Sequence, residues 1–194
     1  VFNEKIINRF AQFYMNIKDV KDEFKKVFYI KDDFVIDLIM ATVLSVHYIQ
    51  DDSIWVMLVG APSSGKTELI SSLFKIPYLV QLDDLTENTL LSGFNNSATE
   101  PSLLHRMGKF GIIAMKEFTT ILSMRDEKRK TIMAQLRNVY DGEIKKETGT
   151  GKDLHWKGKA NFIGGVTEAI FLHSDEIATM GQRNIYFILP EASG

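Results

Sequence analysis

Apolar and polar residues along the chain follow two periods, and the change from one to the other divides it. Ile6, Ile7, Phe10, Phe13, Tyr14 and Ile17 recur near every 3.6 residues, which predicts an amphipathic helix. In KDDFVIDLIMATVLSVHYI, Asp32 or Asp33 is placed to cap a second helix, with Val35, Ile39, Thr42, Val43 and Val46 along one face. Residues 1–50 therefore read as a helical segment packed on a domain formed by residues 51–194. From Ser53 the helical period stops. IWVMLVG (Ile54 to Gly60) is a continuous apolar run ending in glycine, the pattern of a strand buried on both faces. A helix over Lys66 to Phe74 and a short strand, YLVQL (Tyr78 to Leu82), follow. A polar stretch carries a short helix near Ser102 to Met107, and GIIAM (Gly111 to Met115) is a third strand. RDEKRKTIMAQLRNVYDG is a helix with Ile132, Leu136 and Val139 inward and Gly142 at its end. EIKKETGTGKDLHWKGKA reads as a β-hairpin around a glycine turn. NFIGGV and NIYFIL complete five core strands. Strands alternating with helices imply an α/β sandwich of three layers, its central sheet mostly parallel and helices on both faces.

Composition narrows the chemistry. No cysteine occurs among the 194 residues, so disulfides, thiolate metal sites and cysteine nucleophiles are excluded. That absence fits a reducing, cytoplasmic setting. The longest apolar stretch, Phe34 to Ile49, is interrupted by Asp37, Ser45 and His47, and is too short and polar to span a membrane. The net charge of -2 means that any nucleic-acid contact comes from a local patch. His47, His105 and His173 lack metal-ligand spacing, so no structural zinc is expected. The chain opens on Val1 and stops at Gly194 soon after a strand-like run, and it reads as a piece of a longer protein.

Between the first strand and its helix stands GAPSSGKT, a G-x-x-x-x-G-K-T phosphate loop. Gly60 and Gly65 let the backbone curl close to an anion. Ala61, Pro62, Ser63 and Ser64 fill the turn, with Pro62 stiffening it. Successive amides up to Glu68 point at phosphate from the helix start. Lys66 reaches the β- and γ-phosphates, and the Thr67 hydroxyl is placed to ligate Mg²⁺, so ATP with Mg²⁺ is the expected ligand.

The strand GIIAM runs into Lys116 and Glu117, where an ATPase of this kind ordinarily carries two acids. The first acid holds the metal, usually through water, and the second polarises the attacking water. Glu117 can fill the second role. Lys116 repels a cation, which leaves three readings open. Lys116 points away and hydrolysis survives, or it contacts phosphate, or the site binds ATP without turnover. Asp83 and Asp84, after the second strand, read as loop or capping residues.

The hairpin carries Lys145, Lys146, Lys152, Lys157 and Lys159 against Glu143, Glu147 and Asp153. Lysines there attract phosphate without regard to sequence, and His155 and Trp156 either stack on bases or pack inward. Ordinary solvated lysines are the alternative. Arg125, Lys128, Arg129 and Lys130 read as a solvated helix start.

Taken in order, GAPSSGKT, GIIAMKEF, a long helix, the hairpin, FIGGVT and GQRN resemble the ATPase core of the AAA+ family, over roughly Ile54 to Leu189. The clade it most resembles places a hairpin just before the sensor strand, as in minichromosome-maintenance helicases and helicase-like proteins of phages and mobile elements. The resemblance implies that Glu117 is the catalytic glutamate. It implies that Thr167 stands where the sensor asparagine is usual. Arg183 looks like an arginine finger offered to the neighbouring subunit, hence a ring, commonly a hexamer; a surface salt bridge is the alternative for it. The hairpin tip, Lys152, would touch DNA, with Lys145 and Trp156 beside it. The family's helical lid would follow Leu189. Three functions stay open: a DNA motor, an ATP-gated loader with little hydrolysis, and an ATP-dependent remodeller of proteins.

Overall fold

Asn16 starts the first helix of the computed structural model, which describes residues 16–48, 52–86, 88–91, 102–147 and 153–190. The periodic stretch from Ile6 to Tyr14 lies outside those residues, and Ile17 opens a helix instead of closing one. This helix, α1 (Ile17–Val27), is reciprocally capped: the Asn16 side chain accepts from the Lys18 amide, and Asp19 accepts from the Asn16 amide. Lys21 bridges Asp33 and Asp37, and Lys25 holds Asp33, which fastens α1 to the start of α2 (Phe34–Tyr48). The Asp32 carboxylate accepts from the Phe34 amide and caps α2.

The remaining elements follow the sequence pattern closely: β1 (Trp55–Val59), α3 (Lys66–Ser71), β2 (Leu79–Leu82), α4 (Leu103–Met107) and β3 (Phe110–Met115). Then come α5 (Thr119–Leu122), α6 (Asp126–Tyr140), the hairpin β4 (Glu143–Glu147) and β5 (Asp153–Lys157), β6 (Lys159–Val166), α7 (Ser174–Met180) and β7 (Asn184–Ile188). The turn of α5, a 3-10 helix at Glu168–Leu172 and α7 carry too few periodic positions to be foreseen.

Five strands form one sheet in the order β2-β3-β6-β1-β7, every neighbouring pair parallel. The protein is thus an α/β sandwich. Alternation sorts the strand side chains to two faces. Val56, Leu58, Ile112, Ala114 and Ile163 meet α2 and α3 on one. Trp55, Met57, Ile113, Met115 and Phe162 meet α4, α6 and the hairpin base on the other. Among the described residues no helix is long and apolar enough to cross a membrane.

Two buried polar groups of β6 hold α2 on its face. Asn161 is fully buried; its amide donates to the Thr42 carbonyl and the Ser45 hydroxyl, both at 2.7 Å, and accepts from the Ile54 amide at 2.9 Å. Lys159, expected among the hairpin lysines, instead opens β6 and is buried. Its ammonium donates to the Ser45 carbonyl, in the last turn of α2, where a cation is favoured. The correction has a simple cause: Gly158 ends the hairpin, and Lys159 already pairs with Phe110 in the sheet.

Asn161→Ala removes one hydrogen-bond partner each from the Thr42 carbonyl, the Ser45 hydroxyl and the half-buried Ile54 amide. It is expected to lower unfolding free energy by about 2–4 kcal/mol in urea denaturation. An unchanged midpoint would leave α2 held by apolar contacts alone.

Candidate functional site

GAPSSGKT leaves the carboxyl end of β1, between β6 and β7, and enters α3. Its shape needs two left-handed residues, Ser63 with φ 64° and Gly65 with φ 86°. Gly65 has no heavy atom within 4 Å of where a Cβ would sit, so that side of the loop is an open cradle. At Gly60 a Cβ would lie 2.7 Å from the Ser64 hydroxyl, and the curl closes only because it is absent. The first helical bond runs from the Leu69 amide to the Gly65 carbonyl, so the amides of Lys66, Thr67 and Glu68 precede the ladder.

Lys66 is 5% exposed and folds over this loop. Its ammonium donates to the carbonyls of Gly60 (2.8 Å) and Ala61 (2.7 Å) and to the Ser64 hydroxyl (3.2 Å). Three donors meet three acceptors. Burial pulls its pKa below the ordinary lysine value, and the charges of Glu117 and Glu68 work against that pull.

Glu117 comes from two strands away. β3 ends at Met115, and buried Phe118 locks the next residues, packing edge-on against Phe162 and donating its amide to the Gly165 carbonyl at 2.7 Å. Glu117 is left exposed on the rim, its carboxylate accepting from the Thr119 amide at 3.2 Å. Lys116 turns elsewhere: its ammonium sits 4.7 Å above the Phe74 ring, beyond the far end of α3. Glu117 is therefore the residue of this pair whose charge Lys66 feels.

Thr167 ends β6, between the two. Its amide donates to the Thr119 hydroxyl at 3.1 Å, and the two hydroxyls lie 3.4 Å apart. Thr119 thus holds both Glu117 and Thr167. A threonine two residues beyond an acid carries no periodic or motif signal, so nothing in the sequence singles it out.

A cleft of about 280 Å³ opens beside the loop. Phe28, Tyr29, Ile30 and Val35 face Ser63, Ser64 and Gly65 across it, with Leu189 and Pro190 at the edge. The α1–α2 connection builds one wall, so the N-terminal segment does more than cover the sheet. The aromatic pair Phe28–Tyr29, between two helices, was the available signal.

The other expected residues stand apart from this centre. Arg183 precedes β7 at the opposite end of the sheet, roughly 16 Å away along five strand residues. It forks onto both oxygens of Asp141 at 2.9 and 3.1 Å, donates to the Met180 carbonyl and lies over Tyr140. Trp156 packs inward. It is 4% exposed and donates to the Gly108 carbonyl at 2.7 Å, so it offers no face to a base; alternation along β5 puts it on the core side with Leu154. Lys145 is exposed and pairs with Glu143. Lys146 reaches Asn88. Lys152 lies outside the described residues. Asp83 and Asp84 bond within their own turn, to Gln81 and to the Leu85 amide.

The donor set suits a polyphosphate with a lightly coordinated cation. Among the described residues no group of three or more His, Asp or Glu is placed to hold a metal. The sequence matches no protein-family model, and no curated protein matches it significantly.

Glu117→Gln removes one of the charges that raise the Lys66 pKa. NMR titration of the lysine side chains is expected to show Lys66 deprotonating below ordinary lysine, and lower still in that variant. An unmoved Lys66 would place Glu117 outside electrostatic reach of that lysine.

Proposed function

We propose that the chain is a P-loop ATPase module of the AAA+ type, resembling the hairpin-bearing helicases, which binds ATP with Mg²⁺ and couples its hydrolysis to movement on DNA. The observation that carries this reading is the arrangement of Lys66, Thr167 and Glu117 at the carboxyl ends of β1, β6 and β3. One strand, β6, stands between the strand that leads into the phosphate loop and the strand that leads to the acid, and in this reading a γ-phosphate and a water lie between Lys66 and Glu117.

Each residue has a role in that reading. The amides from Gly65 to Glu68 receive the phosphates. Lys66 exchanges its loop carbonyls for β- and γ-oxygens. Thr67 would hold Mg²⁺, which would supply positive charge to offset that of the phosphates. Glu117 polarises the attacking water, and Thr167 orients it or the γ-phosphate through its hydroxyl. The apolar cleft at Phe28–Ile30 takes the base. Arg183 lies at the other end of the sheet from its own loop, held by Asp141. In this reading it would have to leave that salt bridge to serve a neighbouring copy across a head-to-tail interface, in a ring such as a hexamer. The chain would work in the cytoplasm, with Lys145 and Lys152 as its proposed DNA-binding lysines.

Lys116 favours a second reading. With no acid beside Glu117, the module would hold ATP as a clasp for assembly and seldom cleave it.

Mg²⁺-dependent ATP turnover, with and without single-stranded DNA, separates the two. Glu117→Gln is expected to lower turnover by about 10²–10⁴ and to leave ATP binding intact, whereas Lys66→Ala loses binding. Tight ATP binding without turnover would establish the clasp, and full activity in Lys66→Ala would sink the site assignment.

A further inference from the structure

At the amino-terminal edge of the sheet, away from the phosphate loop, lies a second cleft of about 520 Å³. Lys109, Phe110, Tyr140, Lys157 and Lys159 line it, and Gly142 and Gly158 form its floor. Backbone contact builds it. A Cβ at Gly158 would lie 2.4 Å from the Lys109 carbonyl, and one at Gly142 would lie 2.9 Å from the Gly158 carbonyl. The Lys159 amide donates to the Lys109 carbonyl at 2.8 Å, and the Gly158 amide to the Gly142 carbonyl at 3.0 Å. These contacts press the hairpin base against the start of β3 and bring Lys157 beside Lys109.

The charges around the cleft favour an anion. Lys109 and Lys157 are exposed and form no ion pair among the described residues. Lys159 adds a third positive charge behind them, committed to the Ser45 carbonyl. The carboxylate of the lining, Asp141, is neutralised by the Arg183 fork. Glu143, opposite Lys157 in the hairpin, is held by Lys145 and His155. Asp52 acts on Tyr140 from the same side and offsets one positive charge. Phe110 is a strand residue, yet half its surface is exposed (52%). One cleft lined by an exposed aromatic ring and two exposed lysines offers both contacts that a single strand uses, stacking on a base and attraction to phosphate.

We propose that this cleft binds a single nucleic-acid strand, with Lys109 and Lys157 on successive phosphates and Phe110 stacked on a base. Lys157 lies on the outward face of the hairpin with Lys145 and His155, so a strand following that face enters the cleft at the hairpin base. The contact falls on the base of the hairpin, where the backbone is fixed by the two glycines, and Phe110 takes the stacking role that Trp156 cannot fill. This inference rests on the DNA half of the reading above.

The test is fluorescence anisotropy of a labelled oligothymidylate with the whole chain, in Lys109→Ala, Lys157→Ala and Phe110→Ala. All three side chains are exposed, so thermal midpoints should hold. Each variant is expected to bind about tenfold more weakly, and each lysine change to lower the salt slope by about one. Binding of a fluorescent ATP analogue, at the other end of the sheet, should stay unchanged. Unaltered affinity in all three variants, with a wild-type chain that binds the strand, overturns the cleft and leaves the DNA reading standing. A wild-type chain that binds nucleotide but no strand at low salt removes the DNA reading and the cleft with it. Displacement of the strand by tripolyphosphate at equal phosphate concentration assigns the cleft to free polyphosphate and overturns the proposal.

Discussion

The close approach permitted by Gly164, to packed side chains, and by Gly165, to the backbone at Lys116, decides how the rest of the site assembles. β6 runs between β1 and β3 with all eight residues buried. On one face a Cβ at Gly164 would meet the Phe162 ring at 2.6 Å and the Met57 sulfur at 2.8 Å. On the other, a Cβ at Gly165 would meet the Lys116 carbonyl at 2.4 Å. Without side chains there, the segment after β3 folds over the end of β6, and the Phe118 amide bonds to the Gly165 carbonyl. That bond carries Glu117 toward the phosphate loop. It also turns Lys116 toward Phe74, so the lysine's position follows from the crossing of two backbones and not from its charge.

The helices reinforce this from one side. α2 is held by a buried asparagine and a buried lysine, both on β6, and each has its polar atoms paired. Buried polar groups are costly unless paired, so this attachment fixes one position of α2 among the many that apolar contact alone would tolerate. Because α1 is tied to α2 by Lys21 and Lys25, the connection between them is fixed too, and with it the wall of the base-sized cleft.

The sheet has two working ends under this account. The carboxyl end gathers Lys66, Glu117 and Thr167. The amino end gathers the basic cleft, the hairpin base and Arg183, with Asp141 shared by the last and the first of these. β3 and β6 reach from one end to the other, Lys116 and Thr167 leaving at the top and Lys109 and Gly158 entering at the bottom. The two ends are thereby joined by strands that are paired on both sides.

The sequence alone determined the five strands, the phosphate loop and the helices α2 and α6, because each depends on local periodicity or on a contiguous motif. GAPSSGKT specifies its own curl through residues that touch one another. The direction of Lys116, the burial of Trp156 and Lys159, the Thr119 bridge and the Arg183–Asp141 pair were decided by tertiary structure. In each of those the partners lie far apart in the chain: Thr119 and Thr167 are 48 residues apart, Arg183 and Asp141 42. A side chain's neighbours across a sheet depend on strand order and register, which no local period records.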